Sequence, residues 1–284
     1  MRYAIAIAAL IGVTSTQARG PLVITETARS VRPGEIVMLT IRTPEPVEAV
    51  QVRAFNRAWP AFSIDALTWA VLIGVDLDVA PGVHPVSVAA GGLRAAYDLT
   101  VAPHRFPTRK LTVDPAFVTP PPEALPRIER EAREIAAIWE NSSRAKLWDG
   151  AFLPPVPDPA NSAFGTRSVF NGQPRAPHGG ADFLSGAGTP VKAPGGGRIV
   201  LAGSRYYTGG TVVIDHGLGL FSLMAHLSTI DVQVGDVVKA GDAIGKVGAT
   251  GRVTGPHLHW AVRANGSRVD PLSLLFVTGP HGVH

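Results

Sequence analysis

Glycine and proline interrupt this chain so often that few stretches are long enough for a helix of several turns. The 284 residues include 31 glycines and 25 prolines, against 17% charged residues. That punctuation favours short strands joined by many turns. Residues 21–104 read as an all-β unit. β-Rich runs at 36–42, 47–53, 69–73, 83–89 and 94–101 are separated by Pro-Gly, Pro-Glu-Pro and Gly-Gly. A recurrence of about ten residues predicts an immunoglobulin-like β-sandwich, here without its disulfide. His84 and His104 stand alone in it, as surface or satisfied residues. The unit is expected to be a spacer, a groove cover or a binding module.

Residues 105–160 read as a linker. Its proline-rich start is expected to be extended, and the run 154–159 (Pro-Pro-Val-Pro-Asp-Pro) to be stiff. Between them one amphipathic helix is predicted over 123–140. Leu125, Ile128, Ala132, Ile135 and Trp139 recur at three- and four-residue steps, with Arg and Glu on the other side. Packing between the two domains is the expected use of the stripe. From 161 to 277 short strands return, at 198–202, 211–215, 220–225, 232–234, 243–247 and 257–262. No helix-period segment of useful length accompanies them, so an antiparallel sheet or barrel is predicted, with 278–284 as a tail.

The ends and the composition narrow the setting. Residues 1–18 carry Arg2, an apolar run over 4–13 and the small-residue site Thr16-Gln17-Ala18, the pattern of a signal peptide cleaved near Ala18. About ten apolar residues fall short of the ~20 that span a bilayer, so no transmembrane segment is expected. A periplasmic or extracellular location follows. With no cysteine, a thiol nucleophile, a Cys-ligated metal and a lipid-attachment cysteine are excluded. The net charge of +4 comes without a Lys/Arg run interleaved with aromatics, so nucleic-acid binding is not expected. The protein is expected to be a monomer.

The stretch 251–266 holds the triplet His257-Leu258-His259. On a strand, His257 and His259 face one side with Ala261, while Leu258, Trp260 and Val262 face the other and anchor it. His178-Gly179-Gly180-Ala181-Asp182 sets an imidazole and a carboxylate four apart, on a loop running into a strand. His226 ends an apolar run, and His216 reads as a hydrogen-bonding turn residue. His178, Asp182 and His259 offer two nitrogens and one oxygen, a set that suits zinc and leaves a fourth position open, as in catalytic sites. Zinc lowers the pKa of water from 15.7 to roughly 7. His226 and His257 would flank that water, one taking its proton and the other donating to the developing oxyanion.

Several segments in order resemble the lysostaphin/LytM-type zinc metalloendopeptidases of bacterial cell walls. They are Ser162–Arg167 with Phe164-Gly165-Thr166, His178–Phe183, Gly188-Thr189-Pro190-Val191 and Ile214-Asp215-His216-Gly217. Ala225-His226-Leu227-Ser228, Val234-Gly235-Asp236 and Thr250–Trp260 continue the series, so the resemblance covers about residues 161–272. It implies a barrel-sandwich hybrid catalytic domain with a groove floored by a β-sheet. It also implies one zinc per chain on His178, Asp182 and His259, with His226 and His257 as the catalytic pair. Two departures stand out. Met224 replaces an aromatic, and the approach at 172–177 lacks a tyrosine.

The expected function is a zinc-dependent endopeptidase acting on peptidoglycan stems or cross-links, with D-amino-acid cross-links favoured. A non-catalytic wall-binding or amidase-activating relative is the alternative, disfavoured by the complete set of five site residues. A biotinyl or lipoyl carrier, suggested by the turn rhythm at 234–248, lacks a lysine at a flanked hairpin tip.

Overall fold

The structure, a computed structural model, describes residues 21–112, 119–161 and 164–280. The expected signal (1–18) and the end of the expected tail (281–284) lie outside the described residues.

Seven antiparallel strands open the chain: β1 (Val23–Thr27), β2 (Ile36–Arg42), β3 (Val50–Ala54), β4 (Arg57–Ser63), β5 (Thr68–Gly74), β6 (Gly82–Ala90) and β7 (Leu93–Val101). Their order is β1-β2-β5-β4-β3-β6-β7. The halves β1-β2-β5-β4 and β3-β6-β7 match the two sheets of a constant-type immunoglobulin sandwich, and the β3–β4 hairpin ties one half to the other. Alternation sets the core. In β3, Val50, Val52 and Ala54 are buried while Gln51 and Arg53 are exposed. Ile36, Leu39, Ile41, Ile73, Val86 and Leu99 fill the interior where other sandwiches place a disulfide.

The chain then forms β8 (Thr108–Leu111), a 3₁₀ turn over Pro122–Ala124 and α1 (Leu125–Glu140). The next segment supplies β9 (Ala160–Asn161), β10 (Arg167–Phe170), β11 (Gln173–Pro174), β12 (Gly180–Phe183), β13 (Pro190–Lys192) and β14 (Gly197–Arg205). After these come β15 (Gly209–Gly217), β16 (Leu220–Ile230), β17 (Val237–Val238), β18 (Ala243–Val247), β19 (Leu258–Ala264), β20 (Ser267–Val269) and α2 (Pro271–Thr278). The main sheet runs β17-β14-β15-β16-β19-β12-β9, with β18 and β20 paired onto β16 and β19. β10 pairs in parallel with β8, which ties the exit from the sandwich to the segment leading to His178.

Three expectations need correction. The run at 232–234 is not a strand. Gln233 and Asp236 close a turn on each other, with the Gln233 N–H 2.9 Å from the Asp236 carboxylate, and the strand begins at Val237. A short helix, α2, does occur before the tail. It is apolar nearly all round and so gives no stripe, but Asp270 caps it through Leu272 N and Pro271 opens it. Finally, α1 does not wedge between the domains. Ile135, Ile138 and Trp139 pack on Leu201, Val213, Phe221, Leu223 and Ala225 of the main sheet. Directly opposed residues share a face, and Ala225 opposes His259, so α1 lies on the face that carries His259.

The sandwich docks elsewhere, at the β19–β20 end and against α2. Arg29 bridges Glu35 at 2.6 Å and the α2 cap Asp270 at 2.7 Å. Arg268 pairs with Asp78 at 2.6 Å and is held by Asp76, and Ile36 N–H donates to Ser273 Oγ. Glu35 is 2% exposed, so the Arg29 pairs are closed off from water on the carboxylate side, whereas Asp78 stays open to solvent.

Candidate metal centre

β12 and β19 are neighbours, with Asp182 directly opposite His259, so both side chains leave the same face. Ala225 lies opposite His259 on the other flank and is small enough to leave that face open. On the reverse side Leu258, Trp260 and Val262 are fully buried and fix the strand. His178 arrives from the loop before β12, held by its N–H to Thr166 O (3.0 Å) and by Gly165 N–H to its own carbonyl (2.7 Å). Gly180 is what lets that loop close. A Cβ there would collide with the Trp260 carbonyl and sit 2.7 Å from the His259 ring.

Three donor atoms converge. His178 Nε2 lies 3.1 Å from both His259 Nδ1 and Asp182 Oδ1, and His259 Nδ1 lies 2.9 Å from Asp182 Oδ1. Ligands 2.0–2.1 Å from a tetrahedral zinc stand about 3.3 Å apart, close to this triangle. Hydrogen bonds alone satisfy it poorly. If both imidazoles donate to the carboxylate, their two protons crowd each other across the 3.1 Å N···N gap, whereas one shared cation takes all three lone pairs. His178 Nδ1 is buried without a partner among the described residues, so that imidazole gains nothing from the protein on its other side. The donor set fits a borderline divalent metal such as zinc. Burial disfavours ionised Asp182, yet hydrogen bonds from His178 and His259 outweigh it and hold the carboxyl far below the usual range. Burial, against the pull of Asp182, lowers His259.

His226 and His257 stand beside this triangle. Their ring centroids are 4.8 Å apart, and His226 is 6.0 Å from His259. His226 Nδ1 lies 3.0 Å from the Thr250 carbonyl and His257 Nδ1 3.0 Å from the Gly255 carbonyl. A carbonyl only accepts, so each Nδ1 carries its proton there and each Nε2 is left bare. His257 Nε2 is 4.0 Å from Asp182 Oδ1. Burial, reinforced by His259 and His257, pushes His226 down to about 4.

His226 reaches the site through its backbone. Alternation from Ala225 would send it to the reverse face, but φ of +66° at His226, where the register of β16 on β15 shifts, turns it back. His216, expected at a turn, lies inside β15 and is fully buried on the reverse side. Its Nδ1–H donates to Gly196 O at 2.7 Å, and Nε2 accepts from Ser222 Oγ at 2.9 Å. Met224 is also fully buried, opposite Trp260, so this departure belongs to the core and not to the groove. Arg167 is exposed on β10. The Thr250 and Gly255 carbonyls and the turn at 206–208 carried no side-chain pattern that could have marked them.

The model of peptidase family M23 matches residues 176–271, which takes in all five site residues. The crystal structure of a peptidase M23 from Pseudomonas aeruginosa is 32% identical, covering 88% of this chain and 96% of that one at a TM-score of 0.70. The chain belongs to peptidase family M23. Curated relatives match over a shorter stretch. The DD-carboxypeptidase/endopeptidase Mpg of Neisseria meningitidis is 44% identical over 101 residues, 36% of this chain and 23% of the relative. The peptidoglycan DD-endopeptidase ShyA of Vibrio cholerae is 44% identical over 97 residues, 34% of this chain and 23% of the relative. This M23 chain therefore spans about a quarter of the length of those relatives.

Proposed function

We propose that this chain is a zinc-dependent endopeptidase that hydrolyses peptide bonds of bacterial peptidoglycan, at D-amino-acid cross-links, outside the cytoplasm. One observation carries the reading: a two-nitrogen, one-oxygen triangle is flanked by two imidazoles whose Nδ1 protons are already spent on backbone carbonyls. His178, Asp182 and His259 would hold the metal. A bound zinc supplies a Lewis acid that brings the pKa of its water to about 7. The chain's own residues do the rest. One bare Nε2, on His226 or His257, takes the proton of the attacking water. The other, once protonated, donates to the oxygen on which charge develops. The Thr250 and Gly255 carbonyls keep each ring turned so that Nε2 and not Nδ1 faces the reacting groups.

The named DD-endopeptidase relatives, the sheet-floored site and the expected export signal support the substrate and its location. The test incubates the mature protein and its His257→Ala variant with cross-linked sacculi and, separately, with pentaglycine. Uncross-linked stem peptides should appear with the wild type. His257→Ala should keep its zinc and turn over about 10²–10⁴-fold more slowly. Pentaglycine cleavage with intact sacculi would overturn the bond assignment, and zinc-loaded inactivity on both would overturn the enzyme reading.

A further inference from the structure

Helix α1 carries one buried residue, and it is a charged one. Glu131 is 8% exposed on a helix whose other acidic and basic residues face water. Its two oxygens do different things. Oε1 accepts from Arg127 Nε at 2.7 Å on the same helix, while Oε2 accepts from the backbone N–H of Tyr206 at 2.7 Å, 75 residues away. Tyr206 starts the turn that joins β14 to β15. A second pair, Arg205 to Glu134 at 3.2 Å, fixes the same strand end to the same helix.

That turn is tied to His226 by two routes. Thr208 O accepts the His226 backbone N–H at 2.8 Å, at the residue whose positive φ brings the ring into the site. Tyr207 O accepts from Arg252 N at 2.9 Å, and Gly210 N–H donates to Thr250 Oγ1 at 2.8 Å. These two bonds hold the loop whose Thr250 carbonyl takes the His226 Nδ1 proton. The Arg252 guanidinium lies over the Tyr207 ring, 4.4 Å from its centroid, and closes the same contact. Backbone and ring of His226 therefore rest on one turn, and that turn rests on Glu131.

We propose that Glu131 is a positioning residue for the hydrolytic site, acting through the Tyr206–Thr208 turn to hold His226 in its left-handed backbone conformation and its ring in register. The inference rests on the peptidase reading for its kinetic consequence, but the brace itself does not need turnover to be seen. It makes α1 a working part of the catalytic unit, although the helix lies outside the stretch that the family model matches. Two physical reasons favour the role over plain packing. A left-handed conformation at a non-glycine residue is strained and persists only where its surroundings over-determine it. A carboxylate buried with one helical partner needs the second donor, so the turn and the helix hold each other.

The test uses the full chain with Glu131→Ala, Glu131→Gln and Glu131→Asp, assayed on a soluble cross-linked muropeptide dimer with zinc content measured in parallel. Glu131→Ala should lower kcat by about tenfold to 10²-fold, the cost of misplacing a reacting group by about an ångström. KM should stay within about twofold and zinc should stay bound, since only transition-state geometry is lost. Glutamine keeps an oxygen for Tyr206 N–H and should recover most of kcat. Aspartate falls about 1.5 Å short of it, one carbon–carbon bond, and should behave like alanine while keeping the charge. Should Glu131→Ala fail to fold, the contrast between the Gln and Asp variants decides the matter. In ¹⁵N-histidine spectra the His226 Nδ1–H signal should be protected in the wild type and lost in Glu131→Asp. An unchanged kcat and an unchanged His226 signal in the Ala or Asp variant would overturn the proposal, as would a loss that Gln does not recover or that comes with loss of zinc. A wild-type chain inactive on the dimer sinks the peptidase reading alone, leaving the brace to be judged by the His226 signal.

Discussion

The main sheet carries buried histidine on both faces, and the two faces treat it in opposite ways. On the reverse face His216 has spent both nitrogens, one on the Gly196 carbonyl and one on Ser222 Oγ. Ser222 Oγ in turn accepts from Trp260 Nε1 at 3.1 Å, so a short relay of hydrogen bonds leaves neither nitrogen of His216 to spare. On the other face His178, His226, His257 and His259 each bring a nitrogen towards a common space. Backbone carbonyls take only the far nitrogen of His226 and His257, while the nitrogens of His178 and His259 meet, among the described residues, only each other and Asp182. The same side chain in the same sheet is structure in one place and, on the function proposed above, chemistry in the other. What separates them is not burial, since His226 is 7% exposed and His216 0%, but how many of the two nitrogens the fold has already used.

The largest effect should come from breaking the open face. His259→Ala removes a donor from the centre of the triangle, and metal analysis after mild purification should show zinc near one per chain in the wild type and none in the variant, with turnover at background. His178→Ala should behave alike. Full zinc retention in both would sink the ligand set. His216→Gln, by contrast, should leave zinc at wild-type stoichiometry.

The closed face makes a claim about pH. Burial pushes His216 from 6.5 down to about 4, so the fold binds its neutral form. The unfolded chain protonates first. The corresponding stability is therefore complete above pH 6.5 and is lost as pH falls towards 4. The gap between 6.5 and about 4 corresponds to about 3 kcal/mol. His226, lowered to about 4 as well, adds a loss of the same sign in metal-free protein. Urea unfolding of the zinc-loaded wild type and of His216→Gln at pH 7 and pH 4.5 isolates the first term. The wild type should lose more stability across that window than the variant. Equal losses would mean that His216 is not held neutral.

Much of this arrangement could be read from the residues, and the rest failed for identifiable reasons. The bounds of β2 match the expected run because dense β-branched and apolar residues end at a clear turn signal, and those of β18 match because Gly-Asp and Gly-Ala-Thr-Gly bracket it. The pairing of Asp182 with His259 was readable as chemistry but not as register, because β12 is Gly-Ala-Asp-Phe, too short and too small-sided to look like a strand. β4 escaped because Pro60 interrupts it. His226 is the sharpest case. Side-chain alternation gives the wrong face for it, and only a backbone dihedral rescues the site. Glu131 was hidden for the converse reason. It sits among exposed charges of α1, and its burial depends on a turn 75 residues later.

The smallest effect should come from a histidine that belongs to neither face. His84 sits on β6 of the sandwich, with Nε2 2.8 Å from the Ala80 carbonyl and its ring 5.1 Å from Phe55. Water reaches it, so a lost hydrogen bond is replaced by solvent, and among the described residues it belongs to no group of three metal-ligating side chains. His84→Ala should change unfolding stability by no more than about 0.5 kcal/mol, the usual range for surface substitutions. Zinc content and turnover on the muropeptide dimer should match the wild type. A turnover loss at constant stability would show that the sandwich reaches the reaction after all, and a loss of stability well beyond that range would mean that His84 is held as His216 is. Either outcome would break the rule that the fate of a histidine here follows from how many of its nitrogens the fold has used and whether water can replace them.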